Sequence, residues 1–320
     1  MLSKREILTF ARYYKKKLNK KVFKVPISIS GFTCPNIDGT VAKGGCIFCL
    51  NDSFSPNINK SRDKILINSF SKTNPLLQNQ LHELKTQFFT TKNSLKKIKK
   101  AQKFIVYFQS FTNTYAPLDT LKELYLKALS FKDVIGISIG TRADCVNDEV
   151  LQFLKELSKS HEIWVEYGIQ SIHDNTLQKI NRGEKFENIE KIIQKTKEYG
   201  LKVCTHLIFG LPDESDEMIV ETVKKVVSLN IDSIKIHPCY VVKNTLLAND
   251  LKIKKYQPID FNRYLNLVEE SIKLIPKHVI VQRLTAGIDD DTLLAPTWCK
   301  TKNFQLNKIR DRLLLNNVIY

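Results

Sequence analysis

Three closely spaced cysteines offer the clearest chemistry in this sequence. Cys34, Cys46 and Cys49 are separated by eleven and by two residues, and the segment that joins them is rich in glycine. Two thiolates three residues apart can bind one metal centre, and a third thiolate from a flexible loop can close one face of it. A structural zinc site normally has four protein ligands, and the nearest further candidate is the distant His82. The absence of a nearby fourth ligand therefore bears on which metal centre this segment binds.

The residues alone leave three interpretations of this segment open. One is a zinc site that takes its fourth ligand from elsewhere in the chain. Another is a thioredoxin-like Cys-x-x-Cys pair, which needs no third cysteine and opens a helix after the first strand. The third is a four-iron cluster whose three cysteine ligands leave one iron open to a small molecule. The other four cysteines lie in or beside apolar runs and are interpreted as small buried side chains: Cys145, Cys204, Cys239 and Cys299.

The elements that position these residues repeat a strand–loop–helix pattern. Apolar runs alternate with amphipathic helical patterns, and the runs after residue 100 start 28 to 40 residues apart, close to the length of a βαβ unit. Strands that are apolar on both faces and linked by helices imply a parallel sheet. The predicted strands are Val25–Ser30, Lys103–Phe111, Val134–Thr141, Glu162–Ser171, Lys202–Leu211 and Ser233–Val241.

Polar residues cluster where these predicted strands end. In parallel α/β folds that edge of the sheet binds ligands. Periodicity does not separate a closed from an open sheet, although six βα units are fewer than the eight of a complete barrel. The polar clusters are Gln109–Asn113, Thr141–Asp144, Gln170–Ser171, Pro212–Asp213 and His237.

The chain divides by composition into a core and two flanking parts. Residues 1–24 are predicted to form a basic N-terminal extension, residues 25–282 the core, and residues 283–320 a C-terminal cap with its own helix at about Phe304–Asn316. The loop 51–75 is interpreted as an elaboration of the core.

Positive charge is concentrated in three segments. The chain has 50 basic and 33 acidic residues, a net charge of +17. Residues 1–24, 91–103 and 296–320 carry net charges of +8, +6 and +4, so the rest of the chain is nearly neutral. Localised positive charge is typical of a surface that binds phosphates, although lysine-rich solvated faces are the simpler alternative.

The basic N-terminal segment also carries aromatic residues. Phe10, Tyr13, Tyr14 and Phe23 alternate with its lysines. Such a mixture suits phosphates and unstacked bases. The alternative is an amphipathic helix that docks its aromatic side chains on the core.

Composition excludes several classes of protein. Hydrophobic residues make up 42% of the chain and charged residues 26%, which is enough apolar material for a sizeable core. The longest apolar runs are too short to span a bilayer, and the N-terminus lacks the pattern of a secretory signal. Seven cysteines, most of them scattered, do not form a typical secreted disulfide framework. We therefore expect a cytoplasmic globular protein that does not bind membranes.

Further motifs accompany the cysteines over nearly the whole chain. They include Gly31-Phe-Thr-Cys-Pro-Asn, Tyr107-Phe-Gln-Ser, Glu166-Tyr-Gly-Ile-Gln-Ser, Asn181-Arg-Gly, Leu207-Ile-Phe-Gly-Leu-Pro, Lys235-Ile-His-Pro, Arg283-Leu-Thr-Ala-Gly and Leu294-Ala-Pro-Thr-Trp-Cys-Lys. With these motifs the chain resembles the radical S-adenosylmethionine (SAM) superfamily, in the branch of the Elongator catalytic subunit and the YhcC/YtqA group. That group widens the first cysteine gap, as this chain does.

The resemblance implies a fold and a set of cofactors. It implies an α/β fold, a partial (βα)6 TIM-like barrel with an N-terminal extension and a small C-terminal cap. Cys34, Cys46 and Cys49 would ligate a [4Fe–4S] cluster, and SAM would bind at the open iron. Reductive cleavage of SAM would then give methionine and a 5′-deoxyadenosyl radical, with a flavodoxin or ferredoxin as the one-electron donor. The cofactor performs the difficult step, and the protein positions and shields it.

The resemblance also implies which residues bind SAM. Phe48 would pack near the adenine, Arg182 would pair with the SAM carboxylate, and His206 would lie near the ribose. Their alternatives are a core phenylalanine, a surface helix arginine and a satisfied core histidine. Gln109, Thr112 and Asn113 would lie at the turn that holds the SAM amino group, Gln170 and Ser171 would contact the adenosine, and Gly210 would let the backbone approach the ligand.

The remaining candidates lie on the substrate side. Lys235, His237, Arg283 and Trp298 are predicted at strand ends or in the cap, and Lys308 and Arg312 share a face of the cap helix because they are four residues apart. The resemblance implies a tRNA-modifying enzyme that converts carboxymethylaminomethyl-uridine at the wobble position into aminomethyl-uridine. The alternatives are a radical SAM enzyme for a small metabolite such as a tetrapyrrole, and a non-catalytic zinc-containing nucleic-acid binder.

Overall fold

Seven parallel strands form one curved sheet in the computed structural model, which describes residues 4–50 and 65–320. In spatial order the strands are β2 (Val22–Ile27), β3 (Lys103–Phe108), β4 (Val134–Thr141), β5 (Glu162–Gln170), β6 (Lys202–Phe209), β7 (Ser233–Pro238) and β9 (Ile280–Arg283). The sheet curls so far that Lys24 Nζ of the first strand donates a hydrogen bond to Gln282 Oε1 of the last one, at 2.7 Å. The predicted partial barrel is confirmed.

Helices surround the sheet, most of them on its outer side. They are α1 (Phe10–Leu18), α2 (Pro35–Asp38), α3 (Leu77–Lys99), α4 (Leu118–Leu129), α5 (Asp148–Ser158), α6 (Asp174–Lys179), α7 (Phe186–Glu198), α8 (Asp216–Ser228), α9 (Leu246–Lys252), α10 (Phe261–Leu274) and α11 (Lys302–Leu315). The apolar stripe of α4 is buried at Leu121, Leu124 and Tyr125, as its spacing predicts. Burying such stripes against the strands is what holds the layers together.

Two short strand pairs complete the described structure. β1 (Arg5–Glu6) runs parallel to β11 (Val318–Ile319), which brings the two ends of the chain together. β8 (Val241–Val242) and β10 (Leu293–Ala295) pair in antiparallel fashion. No helix in the described ranges is long and apolar enough to cross a membrane.

The strand boundaries differ by a few residues from those predicted from the sequence. Most strands end one to three residues earlier than predicted. After β2, β3 and β5 polar residues already form loops, whereas the apolar runs after β6 and β7 continue past the strand ends, and Val241 begins β8. β2 starts at Val22, inside the predicted N-terminal extension. β9 is absent from the sequence-based strands, since its four residues end in the polar pair Gln282 and Arg283. Residues 51–64 of the predicted 51–75 loop lie outside the described residues.

Helix α1 closes the end of the barrel where the strands begin. Tyr14 is fully buried in a cluster with Ile105, Trp164 and Cys204, near the amino ends of their strands. Trp164 Nε1 donates to Tyr14 Oη at 3.0 Å, and Tyr14 Oη donates to the Glu162 carboxylate at 3.2 Å. Phe10 and Tyr13 are half-buried beside this cluster. The aromatic residues of α1 therefore dock on the core, which was the alternative to base stacking.

The first two basic segments meet at this same edge of the sheet. Lys21 precedes β2 and Gln102 precedes β3, and their backbones are joined by a hydrogen bond of 2.9 Å. Part of the charge there is compensated, because Lys92, Lys96 and Lys103 all lie within 4 Å of Asp133. Exposed lysines for which no ion pair is seen within the described ranges also lie in these segments: Lys16, Lys20, Lys21, Lys97, Lys99 and Lys100.

Tyr14 provides a test of this closure. We expect Tyr14→Phe to lower the free energy of unfolding by about 1–3 kcal/mol, because the buried Trp164 N–H loses its acceptor. Tyr14→Ala should cost about 3–5 kcal/mol, because it also leaves a cavity. Urea denaturation measures both values, and the exposed Lys16→Ala serves as control. Equal stability of all three variants would show that α1 does not contribute to the fold in this way.

Candidate functional site

A cavity of about 700 Å³ opens at the carboxyl ends of the strands, opposite α1. Each strand of the curved sheet contributes to its lining, and the lining also includes Cys34, Cys46 and Cys49. Its volume is typical of a site for a small molecule or cofactor. The strand residues that line it include Pro26, Tyr107, Thr141, Gly168, His206, His237 and Arg283.

The cysteine loop is anchored to the turn between α6 and α7. Cys34 precedes α2, and the Cys49 N–H donates to the Cys46 carbonyl at 2.9 Å. Asn36, which is fully buried, donates from Nδ2 to the carbonyl of Arg182 at 2.8 Å. Asn181 Nδ2 donates to the carbonyl of Gly45 at 2.7 Å. These bonds hold all three thiols on one wall of the cavity.

The donor set fits an iron–sulfur cluster better than a single ion. The three described sulfurs do not all lie within 4.8 Å of one another, whereas thiolates on one tetrahedral zinc ion lie ~3.8 Å apart, because each Zn–S bond is ~2.3 Å long. Burial raises the pKa of both Cys46 and Cys49, and the neighbouring cysteines raise it further, while Arg182 opposes the shift. A bound cluster stabilises the thiolates that burial disfavours.

Two buried arginines border the cysteine wall. Arg182 donates from Nη2 to the carbonyl of Gly168 at 2.8 Å and lies 3.2 Å from the Glu184 carboxylate. Arg142 donates to the carbonyl of Arg182 at 2.8 Å and to Asp144 from Nε at 2.8 Å. The side chain of Arg182 lines the cavity, and its Nε is buried with no hydrogen-bond partner in the described structure. Arg182 is therefore not a surface helix arginine, and a carboxylate would satisfy its free donor.

The nine residues predicted to contact SAM fall into two sets. Phe48, Gln109, Thr112, Gln170, Arg182 and His206 line the cavity; Asn113, Ser171 and Gly210 are not among the lining residues. Asn113 Nδ2 donates to the carbonyls of Ser110 and Gly140, and Ser171 donates to the Glu214 carboxylate. Gly210 has φ = 85°, and a Cβ there would lie 2.7 Å from Ile259. In this structure Gly210 makes room for Ile259.

A buried carboxylate lies at the base of the cavity. Glu166 on β5 is bound by Lys24, Ser138, Lys235 and His206, the last at 2.7 Å from Nε2. Lys24 also donates to Ser138 Oγ at 3.1 Å, and Lys235 to Tyr107 Oη at 3.3 Å. We call these residues, together with Gln282, the Glu166 network. The sequence-based candidates included Lys235 and His206 but not Glu166 or Lys24, for which charged residues inside strand patterns were the available signal. Arg142 falls within the predicted polar cluster Thr141–Asp144 but was given no role there.

The network fixes the charges of its members. Burial acts to raise the pKa of Glu166, but Lys235, Lys24 and His206 outweigh it, and the pKa lies well below its usual value. Burial lowers the pKa of Lys235 to about 8, although Glu166 opposes the shift. Burial lowers the pKa of His206 to about 4, and Lys235 contributes. At neutral pH, His206 is therefore a neutral imidazole whose Nε2–H donates to Glu166.

The predicted substrate residues also divide into those that line the cavity and those that do not. His237 and Arg283 line the cavity, and Lys235 is buried within the Glu166 network. Trp298 is not among the lining residues; its Nε1 donates to the carbonyl of Ile259 at 3.3 Å. On α11, Lys308 is exposed, whereas Arg312 lies 3.2 Å from the Glu269 carboxylate.

Sequence comparisons identify relatives of the whole chain. The model of the radical SAM superfamily matches residues 39–226, and that of the radical SAM C-terminal domain matches residues 231–314. YtqA of Bacillus subtilis is 35% identical over 95% of this chain and 88% of that protein, and YhcC of Escherichia coli is 34% identical over 90% and 85%. A tRNA uridine(34) acetyltransferase of Methanocaldococcus infernus is 32% identical over 48% of this chain and 29% of that protein.

Solved structures share the fold. The chain superposes on the archaeal Elp3 of Methanocaldococcus infernus with a TM-score of 0.61 and 19% identity, over 92% of this chain and 64% of that chain. SuiB of Streptococcus suis bound to S-adenosylmethionine gives a TM-score of 0.52 and 16% identity, over 87% and 54%. The sequence and structure matches together confirm the resemblance seen in the motifs.

Substitution of the cysteines tests the metal centre. We expect Cys34→Ala, Cys46→Ala and Cys49→Ala each to abolish cluster binding, because three thiolates are the minimum set that leaves one iron open. Anaerobic reconstitution followed by iron and sulfide analysis should give about four of each per wild-type chain. Cys145→Ala, at a thiol that does not line the cavity, should keep the wild-type content. Stoichiometric zinc without visible charge-transfer absorption would contradict the assignment.

The Glu166 network makes a separate prediction about stability. Glu166→Gln removes the charge that compensates Lys24 and Lys235, so it should lower the free energy of unfolding by about 3–5 kcal/mol. Adding Lys235→Met should recover part of that loss, because one uncompensated charge is removed. Chemical denaturation of the single and double variants measures the coupling. Purely additive losses would show that the two charges do not interact.

Proposed function

The chain belongs to the radical SAM superfamily, and from that premise we propose that it modifies the wobble uridine of tRNA. It is a radical SAM enzyme with a [4Fe–4S] cluster and SAM as cofactors. The proposed reaction converts carboxymethylaminomethyl-uridine into aminomethyl-uridine. We further propose that it works in the cytoplasm and receives single electrons from a flavodoxin or ferredoxin.

The cavity is the observation that carries this proposal. Cys34, Cys46 and Cys49 lie on one wall, and the lining also contains Arg283 and His237. Such an arrangement suits a radical initiator that faces a substrate with an anionic group. The open end of this cavity, at the carboxyl ends of the strands, would admit a flipped base that stays attached to its tRNA. Support for the substrate class comes from the partial match to a tRNA uridine(34) acetyltransferase.

The residues of the chain would bind, orient and shield. Cys34, Cys46 and Cys49 would hold the cluster, which, when bound, supplies the electron that splits SAM into methionine and the 5′-deoxyadenosyl radical. The unsatisfied Nε of Arg182 would bind the SAM carboxylate, and Phe48, Gln109, Thr112 and Gln170 would enclose the rest of the molecule. Because their side chains narrow the cavity, they would keep water away from a reactive species.

The proposed chemistry balances as a hydrolytic loss of a two-carbon fragment. The methylene group between amine and carboxylate has weak C–H bonds, because a radical there is delocalised onto both neighbours. Loss of one hydrogen atom to 5′-deoxyadenosyl and of one electron to a one-electron acceptor gives an imine, and water cleaves it. The products are aminomethyl-uridine, glyoxylate, 5′-deoxyadenosine and methionine. The proton released with the electron passes to water. Neutral His206, whose Nε2–H is held by Glu166, could accept a hydrogen bond from the amine N–H at Nδ1 and so orient it.

The exposed lysines support tRNA as the macromolecular partner. Six of them lie at the amino edge of the sheet, the end opposite the cavity, so a tRNA bound there would have to extend around the barrel to reach the site. Lys308 lies on α11, whose first residue lines the cavity. Phosphate contacts by such residues need no sequence information and steer association. Arg312 is already paired with Glu269, so within the predicted pair Lys308 is the better candidate.

Product analysis tests the proposed reaction. Reconstituted enzyme with SAM, a reductant and tRNA that carries carboxymethylaminomethyl-uridine should release 5′-deoxyadenosine and aminomethyl-uridine in equal amounts. Nucleoside mass spectrometry measures both products, and the Cys46→Ala variant, which should lack the cluster, is the negative control. Formation of 5′-deoxyadenosine without any change in the tRNA would contradict the substrate and leave the superfamily assignment intact.

Charge reversals locate the tRNA surface. We expect the double variant Lys97→Glu/Lys100→Glu and the single variant Lys308→Glu each to weaken tRNA binding. Each should also reduce the slope of log K against log salt by ~0.7–0.9 for every phosphate that it no longer binds. Lys191→Glu on α7, outside both segments, is the matched control. Titrations at several salt concentrations measure the slopes. Unchanged slopes in both test variants would return these lysines to ordinary solvated surface.

A further inference from the structure

We propose that Arg283 and Lys302 form the subsite that binds the carboxylate of the substrate, an inference that rests on the proposed function. Both side chains line the cavity, one from the end of β9 and the other from the first residue of α11. This assigns a separate task to each part of the cavity, with the cysteine wall for the cofactors and the β9–α11 side for the anion.

Arg283 is a cation without a described counter-ion. No carboxylate within the described ranges lies within 4 Å of its guanidinium, and none accepts a hydrogen bond from it. The other arginines that line the cavity are different, because Arg142 and Arg182 are both paired with Glu184 or Asp144. A guanidinium that faces a cavity without a partner is suited to a carboxylate, which its planar fork binds through two hydrogen bonds.

Lys302 adds a second positive charge beside Arg283. Burial lowers the pKa of Lys302, and Arg283 lowers it further. Two like charges that line the same cavity repel each other, and an anion between them removes that cost. Asp289 and Asp290 also line the cavity and, like Lys302, are exposed to solvent, so the half-buried Arg283 is the main anion-binding group and Lys302 contributes less.

Neighbouring groups do not compete for this role. Lys235, the other predicted candidate for the carboxylate, is already bound to Glu166 and donates to Tyr107 at 3.3 Å. Burial lowers the pKa of His237 well below its usual value, and Arg283 contributes, so this imidazole is neutral. His237 can therefore donate or accept one hydrogen bond at the subsite without adding charge.

The proposed reaction explains what a carboxylate subsite would do. The carbon that loses hydrogen is bonded directly to the carboxylate carbon. If Arg283 and Lys302 hold the carboxylate, the methylene carbon that loses hydrogen is fixed as well, because it is one bond away from the carboxylate carbon. Positioning of this kind is what separates a productive complex from a bound but unreactive one.

The test compares anticodon stem-loops that differ only in the carboxylate. One carries carboxymethylaminomethyl-uridine and the other carries methylaminomethyl-uridine, which has no carboxylate. Wild-type enzyme loaded with its cluster and SAM should bind the first more tightly. Arg283→Gln should raise KM for the first stem-loop about 10- to 100-fold, as expected when a charged hydrogen bond is removed, and should reduce the preference for that stem-loop to the part that Lys302 supplies. Lys302→Gln should show a smaller effect in the same direction.

Two controls separate the possible failures. Arg283→Lys keeps the charge without the fork and should fall between wild type and Arg283→Gln, while Lys191→Gln makes the same charge change at an exposed residue of α7, outside the basic segments, and should match the wild type. If wild type forms aminomethyl-uridine and both Arg283→Gln and Lys302→Gln keep its KM and its preference, the subsite is overturned and the proposed function stands. If wild type forms no aminomethyl-uridine from any stem-loop, the proposed function itself is overturned, and the subsite with it.

Discussion

A single buried carboxylate connects the whole barrel. Glu166 on β5 and the residues bound to it involve every strand of the curved sheet: Lys24 on β2, Tyr107 on β3, Ser138 on β4, His206 on β6, Lys235 on β7 and Gln282 on β9. A charge in this position is costly unless it is compensated, and two lysines compensate it. Because Lys24 also reaches the last strand, the same interaction that neutralises Glu166 holds the sheet in its curled shape.

The rest of the site depends on that shape. The curl turns the carboxyl ends of all seven strands toward one space, so that the cysteine loop after β2 and Arg283 at the end of β9 line the same cavity. Residues far apart in sequence, such as Cys34 and Lys302, then take part in one site. The opposite end is closed by Tyr14 and Trp164, so ligands enter from the side that carries the cysteines.

Local patterns predicted the fold well, and the assignment of the three cysteines as cluster ligands stays a prediction. The strand rhythm of roughly 30 residues and the Cys34, Cys46 and Cys49 spacing are properties of short segments, and motifs spread along the chain added the family. Glu166 was missed because its importance comes from Lys24 and Lys235, which lie more than sixty residues away on either side. Asn113 and Ser171 lie beside cavity-lining residues in sequence, but their side chains bond to the backbone or to Glu214. Which neighbour reaches the cavity is set by tertiary packing.

The most direct test of the account is an anaerobic crystal structure of the reconstituted enzyme with SAM and an anticodon stem-loop that carries carboxymethylaminomethyl-uridine. The account predicts a four-iron cluster on Cys34, Cys46 and Cys49, SAM beside Arg182, and the modified base inside the cavity with its carboxylate on Arg283. A base that remains stacked outside the cavity, or a carboxylate bound elsewhere, would contradict the proposed use of this site.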